Sequence, residues 1–441
     1  MWLIPGFASA YFLFRRRLKS AGRYGQIAAV GRRVTAGVSA LVYRLPRRAA
    51  RFAFTRPVRK SFLPKGVPVR LTFTSPSKAL SKTLGALARI AHSARLPLKS
   101  PTVATWLYFA AFLLVVTLIV GGATRLTQSG LSITSWKPIS GVVPPQDLPA
   151  WQAEFENYKH IPQFKQINPH MTLGQFQAIY WWEWGHRILA RLLGLVYLGG
   201  FLFLLWAREI PKRVIWRCGM LGVLVLVQGG VGWLMVASGL HGRLFVAPEM
   251  LMLHLFVALS LLIVTVWTGA EAGDGAPRGR GAPVSWRLGA GVMLGLIVGQ
   301  CLLGALVAGN QAGLVYNTWP DMDGQFLPRI DWSNGALAFV HDQTLVQFVH
   351  RMNAYLVFAY AWGFAVVFGA KCQDTGLKAH AVTLAGLVTV QAALGVMTLI
   401  TAVDFHLALL HQFVAITLVI VATAFLWRVA RADRVFRKMG F

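Results

Sequence analysis

The chain has 441 residues, 56% of them hydrophobic and only 13% charged. A soluble domain carries about 25% charged residues, so the composition excludes a soluble globular protein and indicates one that crosses a membrane several times. The net charge of +29 would suit a nucleic-acid binder, but residues 1–100 hold 21 of the 44 Lys and Arg and no Asp or Glu, leaving 23 basic and 15 acidic residues, +8, for the body. No nucleic-acid partner is expected.

Residues 1–100 form a basic extension (RRRLK, YRLPRRAARF, TRPVRKSF), rich in Arg and Ser and free of acids. It lacks a sustained apolar period and is expected to be largely disordered. Two readings stay open: a mitochondrial transit peptide, or a dispensable extension such as one added by a start codon set too far upstream.

A transmembrane helix needs about 20 mostly apolar residues. Eight windows qualify, at 105–123, 179–206, 218–237, 248–268, 287–309, 345–370, 379–401 and 407–427. The second and sixth are long enough to project beyond the lipid or to tilt. Basic residues set the orientation: Arg208, Lys212, Arg213 and Arg217 follow span two, Arg278, Arg280 and Arg287 follow span four, Lys371 and Lys378 follow span six, and Arg428, Arg431, Arg434, Arg437 and Lys438 close the chain. These stretches share the inner side. The outer side carries the longer loops 124–178 and 310–344, the second holding Asp321, Asp323, Asp331 and Asp342 against Arg329. The three cysteines show no C-x-x-C spacing, so neither a disulfide nor a cysteine metal site is expected.

The two halves echo one another. LTQSGLSITSW after span one matches GNQAGLVYNTW after span five, and EWGHRILARLLGLVY in span two matches QFVHRMNAYLVFAY in span six. VQGGVGWLM in span three matches VQAALGVMT, and LMLHLFVAL in span four matches LALLHQFVAI. The expected fold is therefore all-α: eight transmembrane helices in two pseudo-symmetric four-helix bundles, with a first half at 101–270 and a second at 271–441.

The repeat places one histidine near the outer end of each even-numbered span: His186, His254, His350 and His411. Each lies roughly 6–12 Å below the outer surface at 1.5 Å per residue. A single membrane histidine is ordinarily a helix-to-helix hydrogen-bonding residue. Four in equivalent places point instead to iron, which imidazole suits, and a heme has two axial positions. Two bis-histidine sites are expected, His186 with His254 and His350 with His411. Arg187 and Arg351 follow directly in sequence and suit heme propionates, against the plainer reading of side chains that snorkel to the surface. His406 is a weaker ligand candidate, and the remaining histidines lie in the extension, in outer loops or at an inner helix edge. The run GGATRLTQSG is expected to make a tight turn against a flat ligand.

Glu183 breaks the symmetry, because its counterpart is Gln347. Residues three apart share a helix face, which aims Glu183 at the pocket of His186. The plainer reading is a carboxylate satisfied by water or by Arg187. An acid beside only one of two similar sites points to one catalytic and one electron-transfer site.

At GGATRLTQSGLSITSWKPISGVVPP, NPHMTLGQFQAIYWWEWGHR, QAGLVYNTWPDMDG, LVQFVHRMNAYL and LALLHQ, the sequence resembles the heme A synthase family over about 105–428. It is similar to the cysteine-free type shared by alphaproteobacteria and mitochondria, and closer to its bacterial side. The resemblance implies an enzyme that oxidises the C8 methyl of heme O to a formyl group by successive hydroxylations and loss of water. It assigns His350 and His411 to a resident heme b, His186 and His254 to the heme O substrate, and the family's essential acid to Glu183. It further implies a heme O synthase and cytochrome oxidase assembly factors as partners, an unnamed electron acceptor, and a bacterial inner membrane, with the mitochondrial inner membrane as the alternative. Two rivals stand beside it. A bis-histidine di-heme cytochrome b relaying electrons explains the histidines but not Glu183. A repeat-built transporter would need helices broken at mid-membrane, where these spans read as continuous.

Overall fold

The computed structural model describes residues 96–276 and 281–432. The basic extension before residue 96, together with Arg278, Arg280, Arg434, Arg437 and Lys438, lies outside the described residues.

Eight helices long and apolar enough to cross a membrane are present among the described residues. They are α1 (Pro101–Leu126), α2 (Leu173–Trp206), α3 (Ile215–Leu240), α4 (Pro248–Asp274), α5 (Val284–Gly309), α6 (Gln343–Lys371), α7 (Thr375–Ile400) and α8 (Phe405–Arg431). All eight expected spans are found, each longer than its apolar window, and polar side chains cap five of them. Ser100 accepts from the Val103 N–H, with Pro101 opening α1. Thr172 and Gln175 form a reciprocal capping box at α2. Asp342, Asp374 and Asp404 cap α6, α7 and α8. The longest two helices are α2, with 34 residues, and α6, with 29. At 1.5 Å per residue α2 is about 51 Å long, well beyond a hydrocarbon core of about 30 Å.

In the first half α1, α2, α3 and α4 pack in a closed ring, and in the second α5, α6, α7 and α8 do the same. The halves meet where α4 packs on α5 and α8 on both α1 and α4. One apolar core runs through both, including Leu107, Tyr197, Leu261, Met293, Phe368 and Phe425. The boundary placed at 270/271 falls inside α4, which runs on to Asp274.

The outer part of α2 carries a separate aromatic core. Short helices at Leu148–Lys159 and Pro162–Ile167 bring Phe155 and Tyr158 against Phe176 and Tyr180. Tyr158 is fully buried, donates to Gln163 Oε1 at 3.0 Å and accepts from Asn168. Burial pushes its phenol above the usual tyrosine range.

At the inner side the buried Glu271 of α4 pairs with Arg213 and Arg217, each at 2.6 Å. This clamps the α2–α3 connection onto α4. Losing a partner from a buried ion pair costs about 3–5 kcal/mol, but the two arginines are partly exposed and screened. Glu271→Ala is therefore expected to cost only about 1–2 kcal/mol, read as a lower melting temperature of the detergent-solubilised protein. Cys218, Cys301 and Cys372 are unpaired.

Candidate heme-binding site

Each of the four span histidines is seated against a glycine of the preceding helix. A Cβ added at Gly121 of α1 would stand 2.8 Å from Cε1 of His186, and one at Gly232 of α3 would stand 2.9 Å from that of His254. In the second half a Cβ at Gly304 of α5 would lie 3.3 Å from His350 and one at Gly395 of α7 3.0 Å from His411. The four glycines occupy repeat-equivalent positions, so both halves build the same four-part seat. Gly121→Val is expected to push the His186 ring out of place, at about 1–3 kcal/mol for overpacking. The check is a lower melting temperature of the detergent-solubilised protein.

The histidines are also paired. His254 lies close enough to His186 to interact electrostatically, and His350 to His411. His186 Nδ1 sits 3.1 Å from the Thr117 carbonyl, the kind of outer contact that orients a metal-ligating imidazole. Its Nε2 has no protein partner. Gln300 occupies the position in α5 equivalent to Thr117. Its amide nitrogen lies 3.2 and 3.3 Å from the two ring nitrogens of His350, and Asn353 holds its oxygen. Gln228 and Gln391, equivalent residues of α3 and α7, reach His254 and His411. Buried polar atoms without partners gather here: Oε1 of Gln228, Oε1 of Gln391 and Nδ1 of His411. Paired imidazoles with clearance made by glycine and spare polar atoms around them fit an iron porphyrin in each half.

Glu183 is almost wholly buried, 3% exposed, and its carboxylate is held on both oxygens. Oε2 accepts from Ser132 Oγ and the Ile133 N–H, both at 2.8 Å. Oε1 accepts from Arg187 Nε at 3.0 Å and Nη2 at 2.6 Å. Arg187 also donates to the carbonyls of Ile133 and Ser135. The second half repeats the clasp with an amide. Arg351 donates to Gln347 Oε1 and to the carbonyls of Tyr316 and Thr318, the equivalents of Ile133 and Ser135. Both arginines thus pin the outer loop that follows the first helix of their half. Arg187 keeps one unused N–H on Nη1, since four of its five are donated.

Beside Arg187 the outer loop encloses a cavity of about 360 Å³ lined by Lys137, Arg191, Glu154 and Tyr180. Beside Arg351 a cavity of about 510 Å³ is lined mainly by apolar residues, among them Trp319, Phe326 and Tyr355. The expected tight turn begins later than GGATRLTQSG suggested. Gly121 and Gly122 are helical, α1 runs to Leu126, and the chain turns at Gln128, φ 53°. His406 meets Phe405 edge to face at the start of α8. The glycine seats and the glutamines were missed, although VQGGVG and VQAALG share the glutamine and the last glycine; both residue types also serve ordinary helix packing.

A family model described as cytochrome oxidase assembly protein matches residues 104–423. The chain belongs to this family. Among its relatives in the cytochrome oxidase assembly protein family, the heme A synthase of Caulobacter sp. (strain K31) is 48% identical over 336 residues, 76% of this chain and 97% of that protein. The heme A synthase of Sphingopyxis alaskensis is 43% identical over 335 residues, 75% and 93% of the two chains. That of Bradyrhizobium sp. (strain BTAi1) is 46% identical over 322 residues, 70% and 86%. Eight apolar helices and alphaproteobacterial relatives make this a multi-pass protein of the bacterial inner membrane.

Proposed function

We propose that the chain is a heme A synthase, an oxidoreductase that takes heme O in its first half and converts the C8 methyl group to a formyl group. The observation that carries this reading is the asymmetry of two otherwise equivalent seats: a carboxylate, Glu183, accompanies the first histidine pair, and an amide, Gln347, the second. His186 and His254 would hold the iron of the substrate. His350 and His411 would hold a resident heme b, which when bound supplies one-electron transfer. The relatives' name supports heme A as the product, and the family description supports its destination in cytochrome oxidase.

The chain's own residues do the rest. Thr117 fixes the His186 ring through Nδ1 and so presents Nε2 to the substrate. Ser132, the Ile133 N–H and Arg187 hold Glu183 in one orientation. A carboxylate so fixed can accept a proton released as the methyl group is oxidised, a general-base task. The remaining Nη1 hydrogen of Arg187 is available to a propionate. Arg351 differs: its four Nη hydrogens go to Thr318, Asp321, Tyr316 and Gln347, so only its unpartnered Nε–H would be left for a propionate of heme b. Successive hydroxylations and loss of water give the formyl group, with electrons passing to an acceptor outside the chain. A heme O synthase upstream and cytochrome oxidase assembly factors downstream are the expected partners.

The test is expression with a source of heme O, followed by extraction and identification of the hemes. Heme A is the expected product. Heme b alone, with heme O available, would overturn the reading and leave an electron-relaying cytochrome b.

A further inference from the structure

The outer loop of the first half meets lipid. Trp136, Ile139, Val142 and Val143 are all exposed, Ile139 at 86%. Trp181 and Trp182, near the outer end of α2, are exposed too, and tryptophans so placed mark the headgroup level of a bilayer. The 360 Å³ cavity under this loop is lined by the neighbouring Tyr180 and lies at that level. It is separate from the heme seat. Tyr180, Arg187 and Arg191 share one stripe of α2, and His186 stands about 120° around the helix axis from it.

The cavity wall carries polar groups that the protein leaves unsatisfied. Tyr180 is only 5% exposed, yet its hydroxyl has no hydrogen-bond partner among the described residues. Arg191 donates through Nε and Nη2 to the carbonyls of Pro138 and Lys137, and its buried Nη1 is unpartnered. Glu154 receives Lys137 on Oε1 at 2.5 Å, and its buried Oε2 is unpartnered. Tyr180 lies close enough to Arg191 and Glu154 to interact electrostatically with both. Buried polar groups without partners are costly and rare; three on one cavity point to a ligand that offers both an acceptor and a donor. Charge narrows its nature. Arg187 is balanced by Glu183 and Lys137 by Glu154, which leaves Arg191 and Asp147 in the lining, one of each sign.

The second half does not repeat the arrangement. Thr344, Tyr355 and Pro320 replace Tyr180, Arg191 and Lys137, and the equivalent cavity is lined mainly by apolar residues. We infer that the first-half cavity binds the headgroup of an aminophospholipid, its phosphate on Arg191 and Tyr180 and its ammonium on Glu154. Arginine and a hydroxyl suit a phosphate, a free carboxylate oxygen suits an ammonium, and a balanced lining suits a zwitterion. The acyl chains run along the exposed apolar residues of the loop. That loop also carries Ser132 and Ile133, which hold Glu183, so the bound lipid steadies the outer wall of the first-half site. Binding itself is independent of the reaction proposed above.

The test uses the full-length protein with its hemes as purified, stripped of native lipid in detergent. It is titrated with phosphatidylethanolamine or phosphatidylcholine, and bound species are resolved by native mass spectrometry. Phosphatidylethanolamine is expected to bind one to one and about tenfold more tightly, because the quaternary ammonium of phosphatidylcholine cannot donate to Glu154. Arg191→Gln and Tyr180→Phe are each expected to weaken that complex about tenfold. Glu154→Gln is expected to abolish the preference between the two lipids. A wild-type circular-dichroism spectrum shows that each variant is folded. Equal affinity of the wild-type protein for both lipids would overturn the inference without recourse to any variant, as would undiminished binding by folded Arg191→Gln. Displacement of the lipid by inorganic phosphate would overturn it as well, assigning the cavity to a free anion.

Discussion

Glu183→Gln is expected to retain both hemes, with a slightly lower melting temperature, yet lose nearly all heme A formation. The second half shows how an amide sits beside the equivalent arginine. There Gln347 sits in the same clasp, its Oε1 accepting from Arg351 and its amide donating to the carbonyls of Ala312 and Tyr316. Glutamine at 183 would keep one oxygen for Arg187 but set its NH2 against the Ile133 N–H and Ser132 Oγ, which now donate to Glu183, so a modest loss of stability accompanies the loss of the capacity to take a proton. Loss of a positioned acid or base lowers a rate by about 10²–10⁴-fold. The extracted hemes should be heme b and heme O, with heme A reduced to a trace. Glu183→Leu should behave differently. It strands Arg187, 17% exposed at its side chain, without its partner, at about 3–5 kcal/mol, and it frees the loop at Ser132 and Ile133. Equal heme A yields from wild type and Glu183→Gln would show that the carboxylate is a clasp and nothing more.

His350→Ala is expected to empty the second half and spare the first. On the proposed assignment the ring seated at Gly304 would be one of two imidazoles holding the heme iron, and Gln300, which now lies against it, cannot replace an imidazole on iron. Losing even an outer-sphere partner of a metal ligand costs about 10–100-fold in affinity, so losing the ligand should cost at least that. Heme b per protein should fall to background, heme O should still bind, and heme A should not form. His186→Ala gives the opposite pattern: heme b retained, heme O and heme A lost. A His350→Ala protein that keeps heme b would transfer the resident site to the first half.

Much of this architecture was legible because lipid imposes a simple rule, about 20 apolar residues per crossing. The four histidines were legible because the chain repeats itself, and position in a repeat is visible without a structure. The outer ends were not. The α2 helix begins at Leu173, six residues before its apolar window, because the Thr172–Gln175 box and the aromatic core around Phe176 stabilise it in water. The short helices at Leu148–Lys159 and Pro162–Ile167 were read as loop for the same reason: they pack on the projecting part of α2, not in lipid. The partners of Arg187 were also hidden. Four residues separate it from Glu183, but whether its guanidinium faces that carboxylate, a carbonyl or a propionate is decided by a loop fifty residues earlier in the chain. The glycine seats depend likewise on which helix lies opposite.

One turn of α1 belongs to both halves at once. The carbonyl of Thr117 and the bare face of Gly121 serve the ring of His186. The next residues, Leu118 and Gly122, receive Gln412, whose amide donates to the Leu118 carbonyl at 2.7 Å and which directly follows His411. Four backbone positions thus act as a common gauge block for two machines. The turn cannot rotate or slide to suit one heme without misaligning the other, so neither site has a mechanical tolerance of its own, and damage introduced at either face is inherited by its twin.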